Sequence, residues 1–150
     1  MRSDLDLLVT YLLTKGGEAI VNDGGLDLDF PTIFVARLKA HGRFFDGSLA
    51  RLVLGSPSQC HDNAEEYTEL HPTAVWWTGF ALSEDGRWRV HSWVLTGHSA
   101  LVETTEKRVL YFGLPAALDP TFDDRFSRSD MSRIRRRYGI ASTPLQINLS

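Results

Sequence analysis

The middle of the chain, residues 74–112, constrains the fold most, because short runs of β-branched and aromatic residues alternate there with turn signals. The pattern predicts strands over residues 74–82, 88–95, 101–105 and 108–112. The Glu-Asp-Gly at residues 84–86 is a hairpin turn signal, and the Gly-His-Ser at residues 97–99 is a second turn. Strands joined by such short turns pair antiparallel. The sequence therefore predicts an antiparallel β-meander.

Helical patterns surround this meander. Apolar residues at helical spacing predict a helix over residues 4–15 that ends at Gly16. Pro31 suits the first turn of a second helix that stops near Gly42. Three more helical segments are predicted: a short one over residues 48–54, one that begins around residues 56–60 and ends at His71-Pro72, and one over residues 129–138.

The composition fits one globular domain of the α+β class. The chain has 150 residues, of which 43% are hydrophobic and 23% charged, and it shows no internal repeat. We divide it into an N-terminal helical part over residues 1–55, a proposed catalytic core over residues 56–114, and a C-terminal helical tail over residues 115–150. In the core, we expect a cysteine-bearing helix to pack on the meander.

Charge and apolar content limit the partners and the location. The net charge of −3 lacks the basic surplus that nucleic-acid binding usually needs, so no nucleic-acid partner is expected. No run approaches the about 20 apolar residues of a membrane span, and the start of the chain lacks the features of a signal peptide. Cys60 is the only cysteine, which is typical of a reducing compartment. We therefore expect a cytoplasmic protein that does not bind membranes.

Cys60 is the first candidate for chemistry, because it falls at the predicted start of the third helix, just after Ser56-Pro57-Ser58. A thiol attacks as its thiolate, and most free thiols are protonated at neutral pH. The free N–H groups and the dipole of a helix N-terminus favour an anion. The same N–H groups can hold the oxyanion of an acyl intermediate. The position therefore suits a nucleophile.

A thiolate of this kind also needs a base, and His91 in the middle of a predicted strand is the candidate. Strand alternation places His91 and Trp93 on one face, and we expect the cysteine-bearing helix to lie on that face. Glu103 lies on the next predicted strand, which a hairpin brings beside His91. A carboxylate there would orient the imidazole and stabilise its charged form.

The ordered set of Cys60, His91-Ser92-Trp93 and Glu103-Thr104-Thr105 resembles the transglutaminase-like and papain-like thiol enzymes. The resemblance covers roughly residues 56–112, and many members carry Asp where this chain has Glu103. It implies a papain-like core, in which the cysteine-bearing helix packs on the antiparallel meander. It also implies a Cys-His-Glu triad that breaks an amide or peptide bond without a cofactor, as an amidase, peptidase or deamidase. The substrate would be a peptide, a protein or a small amide.

The residues around the triad are assigned by the same reasoning. The papain-like oxyanion glutamine has no counterpart at its usual distance upstream of the cysteine, so Gln59 and Asn63 are the candidate oxyanion donors. Trp93, two residues from His91, is the candidate for a wall of the substrate cleft. His61 is a weaker candidate for the site, because neighbours at i and i+1 on a helix do not face each other.

Two alternatives to a hydrolase stay open, and a third is disfavoured. Cys60 could be a buried structural residue of a binding or interaction module on the same fold. The enzyme could instead transfer the acyl group to an amine, as a transglutaminase or acyltransferase does. A metal site built from the cysteine and its neighbours is disfavoured, because the paired ligand spacings of zinc sites are absent, and no metal is expected.

Overall fold

The computed structural model describes residues 3–21, 32–97 and 100–119. Within these ranges the protein has an α+β fold with three α-helices and one curled seven-stranded sheet. The helices are α1 (Asp4–Lys15), α2 (Thr32–His41) and α3 (Cys60–Leu70). The strands are β1 (Ala19–Val21), β2 (Arg43–Asp46), β3 (Arg51–Leu52), β4 (Val75–Leu82), β5 (Arg87–Thr96), β6 (Ala100–Glu103) and β7 (Leu110–Pro115). Short 3₁₀ turns cover Gly47–Leu49 and Ala116–Leu118.

The strand order is β2-β7-β4-β5-β6-β3, and β1 pairs with β5 outside this path. The predicted meander is confirmed for β4, β5 and β6, which pair antiparallel in sequence order. The meander does not continue into β7, which crosses back and pairs with β4 on its other edge. That position buries Phe112 and Leu114 of β7 in the core beneath the N-terminal helices. Burial of apolar side chains, which local turn signals do not encode, therefore decides where β7 lies.

The N-terminal part differs from the helical segment that the sequence predicts. The helices at residues 4–15 and from about 31 to 42 are confirmed by α1 and α2. The predicted helix at residues 48–54 is wrong, since a 3₁₀ turn leads there into β3, which pairs in parallel with β6. The backbone N–H groups of Val53 and Gly55 donate to the carbonyls of Glu103 and Thr104, which extends this contact. The predicted helix at residues 129–138 lies outside the described residues.

The sheet buries side chains on both faces. On one face, α1 and α2 pack through Leu12, Phe34 and Leu38 against strand residues that include Phe80 and Trp88. On the other face, a second cluster joins Trp77, Ala81, Trp93, Leu101 and Tyr111. No helix in the described part of the chain is long and apolar enough to cross a membrane.

Helix α3 lies on the face opposite to the one we expected. Its Ala64 packs with Trp76, Val94 and Val102, which are neighbours in strand register and share one face. Because side chains alternate along β5, His91 points to the other face. The body of α3 therefore packs behind the strand that carries His91, and only its first turn can reach the imidazole.

The first turn of α3 reaches His91 at a gap in the strand pairing of β5. One edge of β5 pairs with β4 along nearly its whole length. The other edge pairs with β1 at residues 87–89 and with β6 at residues 94–96. Between these two contacts, residues 90–93 have no strand partner on that edge among the described residues. The start of α3 meets β5 at this opening.

Candidate active site

The loop before α3 is fixed by side-chain contacts that leave the helix start open. The Asn63 amide accepts from the Ser56 N–H at 3.1 Å and donates to the Ser56 carbonyl at 2.8 Å. Gly55 fits there because a Cβ would lie 2.5 Å from the Asn63 side chain. Ser58 has a positive φ of 61°, a strained conformation for a residue other than glycine. Gln59 follows as the N-cap, and its side chain makes no capping bond to the first turn.

Cys60 is the first residue of α3, and its thiol is partly exposed. The thiol hydrogen-bonds the imidazole of His91, which is 2% exposed in the middle of β5. Nε2 of His91 lies 2.7 Å from Oε1 of Glu103. Since Nε2 is occupied, the contact with the sulfur falls to Nδ1. Cys60, His91 and Glu103 therefore form one hydrogen-bonded line from the surface into the core.

Glu103 ends this line as a fully buried carboxylate with four donors. Oε1 accepts from His91 and, at 2.7 Å, from the hydroxyl of Tyr111. Oε2 accepts from the backbone N–H and the hydroxyl of Thr105, both at 2.9 Å. A buried charge is tolerated only when it is paired and hydrogen-bonded, and this carboxylate meets both conditions. Tyr111 was not anticipated from the sequence, because nothing in the pattern of β7 marks a polar contact across the sheet.

The three groups of the line shift one another's ionisation. Burial alone would raise the pKa of the Cys60 thiol, but the charge on His91 and hydrogen bonds from His61 and His91 hold it well below its ordinary value. Burial alone would lower the pKa of His91, but the Cys60 thiolate and the bonded Glu103 raise it to about 9. Burial raises the pKa of Glu103, and its bond to His91 outweighs this effect and lowers the pKa to about 2. These shifts favour the thiolate form of Cys60 together with the imidazolium form of His91.

His61 also reaches the sulfur, which corrects the weaker role expected for it. Its imidazole hydrogen-bonds the Cys60 thiol, and its Nδ1 lies 2.6 Å from the buried hydroxyl of Ser92 on β5. The i, i+1 rule describes side chains along a regular helix. It fails at this position because Cys60 and His61 form the first turn, where both side chains turn toward the opening in the edge of β5.

The other residues expected at the site have different positions. Gln59 is exposed beside the sulfur-bearing turn. Asn63 is buried and its amide binds Ser56 in both directions, so it supports the loop. Trp93 is fully buried, stacks on His91 with ring centroids 6.2 Å apart and meets Tyr111 edge-on at 5.1 Å. It lies beneath the imidazole and does not form the expected wall of a cleft.

A polar cleft of about 790 Å³ opens beside the pair and is lined in part by Cys60 and His91. Its far wall comes from the β4–β5 turn and from the loop after β6. Arg108 joins the two by donating to the Ser83 hydroxyl at 2.9 Å and to the Glu106 carbonyl at 3.1 Å. Arg89 is held on the same wall by a two-pronged contact with Asp85. The cleft is large enough to admit a substrate side chain or a short peptide to the sulfur.

In the part of the chain that the structure describes, no group of three or more His, Cys, Asp and Glu side chains is placed to hold a metal ion. Comparisons with protein-family models, with curated proteins and with solved structures found no match to this chain. The chemistry of the site therefore has to be argued from its own geometry.

Proposed function

We propose that the protein is a cysteine-dependent acyl-transfer enzyme that acts on an amide or peptide bond. The observation that carries the proposal is the unbroken line from the partly exposed sulfur of Cys60, through buried His91, to the fully buried carboxylate of Glu103. A thiolate next to a charged imidazole that a carboxylate orients is the arrangement nucleophilic catalysis requires. A merely structural cysteine has no need of these partners.

The reaction follows from the starting protonation states. The Cys60 sulfur attacks the carbonyl carbon, and the C=O electron pair moves to the oxygen. When this intermediate collapses, the C–N bond breaks and His91 gives its proton to the leaving amine. The product is a thioester on Cys60 and a neutral His91. His91 then takes a proton from water as the water attacks the thioester, and the acid leaves as the thiolate–imidazolium pair is restored.

The oxyanion of each tetrahedral intermediate needs donors, and the start of α3 can supply them. The first backbone N–H groups of an α-helix have no carbonyl partner within the helix, and the Gln59 side chain makes no capping bond at the start of α3. Gln59, exposed at the N-cap, can add its side-chain amide. Asn63 is a poorer donor than the sequence suggested, because its amide is already bonded to Ser56. An amine in place of water would give transfer in place of hydrolysis.

The fold supports the finer resemblance to papain-like enzymes in one respect. A cysteine starts a helix that packs on an antiparallel sheet, and the base and the acid come from two strands of that sheet. We therefore propose a papain-like core with glutamate as the acid. The longer acid reaches back from the end of β6, and Tyr111 and Thr105 hold it in place.

The test is to trap the acyl-enzyme. Wild-type protein would be mixed with p-nitrophenyl acetate and with a library of amides and peptides, and the intact mass and the released amine would be followed. We expect a rapid gain of one acetyl group at Cys60 and turnover of at least one amide class. Cys60→Ser should lose both signals, whereas His71→Phe at the far end of α3 should keep them. Undiminished turnover in Cys60→Ser, or no acetylation of Cys60 in the wild type, would refute the proposal.

A further inference from the structure

The triad leaves one histidine at the site unused. His61 follows Cys60 in α3, and its side chain hydrogen-bonds the Cys60 thiol, whereas His91 comes from β5. Its second ring nitrogen, Nδ1, is held by the Ser92 hydroxyl at 2.6 Å. Both nitrogens of His61 therefore have a partner. A side chain that only filled space would need neither contact.

The contact with Ser92 favours one tautomer of His61. The Ser92 side chain is fully buried, and among the described residues the polar partner of its hydroxyl is Nδ1 of His61. A buried hydroxyl uses its hydrogen when an acceptor is at hand, and Nδ1 accepts it only when it carries no proton. The proton of neutral His61 then lies on Nε2, which faces the sulfur.

We propose that His61 is a second catalytic histidine, which Ser92 holds in the tautomer that donates Nε2–H to the Cys60 sulfur. This inference rests on the proposed acyl-transfer function. It divides the work between the two imidazoles. His91 moves the proton during the reaction, whereas His61 is a fixed donor that favours the thiolate and directs its lone pairs into the cleft.

The division of work can be tested because few groups face the sulfur. They are His61 from α3, His91 from β5 with Glu103 of β6 behind it, and the charged residues across the cleft, which are Glu84, Asp85, Arg89, Glu106, Lys107 and Arg108. Thiolate formation would be followed by iodoacetamide labelling of Cys60 across pH. In His61→Phe we expect the rise of the labelling rate at the acid end of the profile to move up by about one pH unit. The Cys60 thiolate loses one hydrogen bond there, and the loss of a bond to a charged group has an effect of this size. His61→Gln, which keeps a donor, should move this rise less.

Two controls separate this effect from general disturbance. His71→Phe removes the other histidine of α3, an exposed ring stacked on Tyr67, and should leave the profile unchanged. Ser92→Ala removes only the group that sets the tautomer, and should move the rise at the acid end in the same direction as His61→Phe but less. The step near pH 9 that belongs to His91 should remain in all these variants.

The outcomes distinguish the two proposals. If the labelling rate of the wild type rises at low pH, and His61→Phe shows this rise at the same pH, the role of His61 is overturned and the acyl-transfer proposal still stands. An ordinary thiol profile in the wild type would overturn both. If His61→Phe does not fold, ¹H–¹⁵N spectra of the wild type decide: a protonated Nε2 that shifts when Cys60 is alkylated supports the proposal, and a protonated Nδ1 refutes it.

Discussion

Helices α1 and α3 begin in opposite ways. At α1 the Ser3 hydroxyl accepts from the Asp6 N–H, and the Asp6 carboxylate accepts in turn from the Ser3 N–H. The start of α1 is thus satisfied by a capping box within four residues of sequence. At α3 the side chain of the N-cap Gln59 makes no capping bond, and the strained Ser58 precedes the helix. The groups at that end that can carry a negative charge are the Cys60 thiol, whose pKa is held well below its ordinary value, and the Asp62 carboxyl in the first turn.

The difference shows how the same physical feature serves stability in one place and reactivity in another. The cap of α1 is local and needs nothing from the rest of the fold. The anion at α3 is held by His91, which lies far away in sequence and in turn depends on Glu103. A helix start that is left open for an anion gains little stability by itself. It becomes a site only when the sheet delivers the partners.

Of the changes that test this contrast between the two helix starts, removing the negative charge of Glu103 behind His91 should have the largest effect. In Glu103→Gln the imidazolium loses its buried counter-ion, and the amide presents an N–H₂ group to Thr105 where an acceptor is needed. We expect kcat/KM to fall by about 10²- to 10⁴-fold, as in triads whose carboxylate is replaced by its amide. The step near pH 9 in the labelling profile should move down, because the pKa of His91 falls. Glu66→Gln, on the exposed side of α3, is the matched control and should change neither value. Full activity in Glu103→Gln would mean that the carboxylate is structural only.

Removing one of the other donors to Glu103 should have a smaller effect. Tyr111→Phe deletes the 2.7 Å bond to Oε1 and leaves the ring in place. A bond to a charged group contributes about 1.5–3 kcal/mol, and urea unfolding should show a loss of this size. We expect kcat/KM to fall by about tenfold, because the carboxylate keeps its charge and its bond to His91. Tyr11→Phe, on the exposed side of α1, provides the comparison and should lower neither the stability to urea nor kcat/KM. An unchanged stability in Tyr111→Phe would contradict a close pairing of the Tyr111 hydroxyl with the Glu103 carboxylate.

Removing the cap of α1 should affect stability alone and be the smallest change. Ser3→Ala leaves the Asp6 N–H without its partner and should cost about 1 kcal/mol of unfolding free energy. Ser3→Thr keeps an acceptor and should recover most of that loss. The labelling rate of Cys60 should be the same in all three proteins. A changed rate in Ser3→Ala would show that the two helix starts are coupled, and the contrast between a local cap and a distant set of partners would then fail.

Local signals in the sequence were sufficient for the three helices, for the β4–β6 meander and for the order of the reactive residues, whereas the short strands β1, β2 and β3 were missed. The periodicity of α1 and the turn at residues 84–86 act over a few residues, so the structure follows them closely. Cys60, His91 and Glu103 could be picked because each reactive type stands at a recognisable place on a helix or strand. The hydrogen bond between His91 and Glu103, and the position of Cys60 and His91 on the same cleft, are findings of the structure.

Features set by packing between distant segments could not be predicted in the same way. β7 pairs with β4 and α3 lies on the opposite face of the sheet because apolar side chains are buried there. The contacts of Tyr111 and His61 depend on those placements, and no local pattern marks either residue. Trp93 was expected at a cleft wall because it shares a strand face with His91. Its burial beneath the His91 ring depends on packing between distant segments.

The pairing of a Cys60 thiolate with His91 is tested most directly by the rate of Cys60 alkylation by iodoacetamide across pH. The lowered pKa of Cys60 keeps the thiolate present well below its ordinary range, and the pKa of His91 near 9 keeps the imidazolium present up to that pH. We predict rapid labelling below pH 7, a plateau, and a second step near pH 9. In His91→Ala we predict a single rise displaced toward the ordinary thiol range of about 8.5. A wild-type profile with one rise near that value, unchanged in His91→Ala, would contradict the pairing and make Cys60 a structural residue.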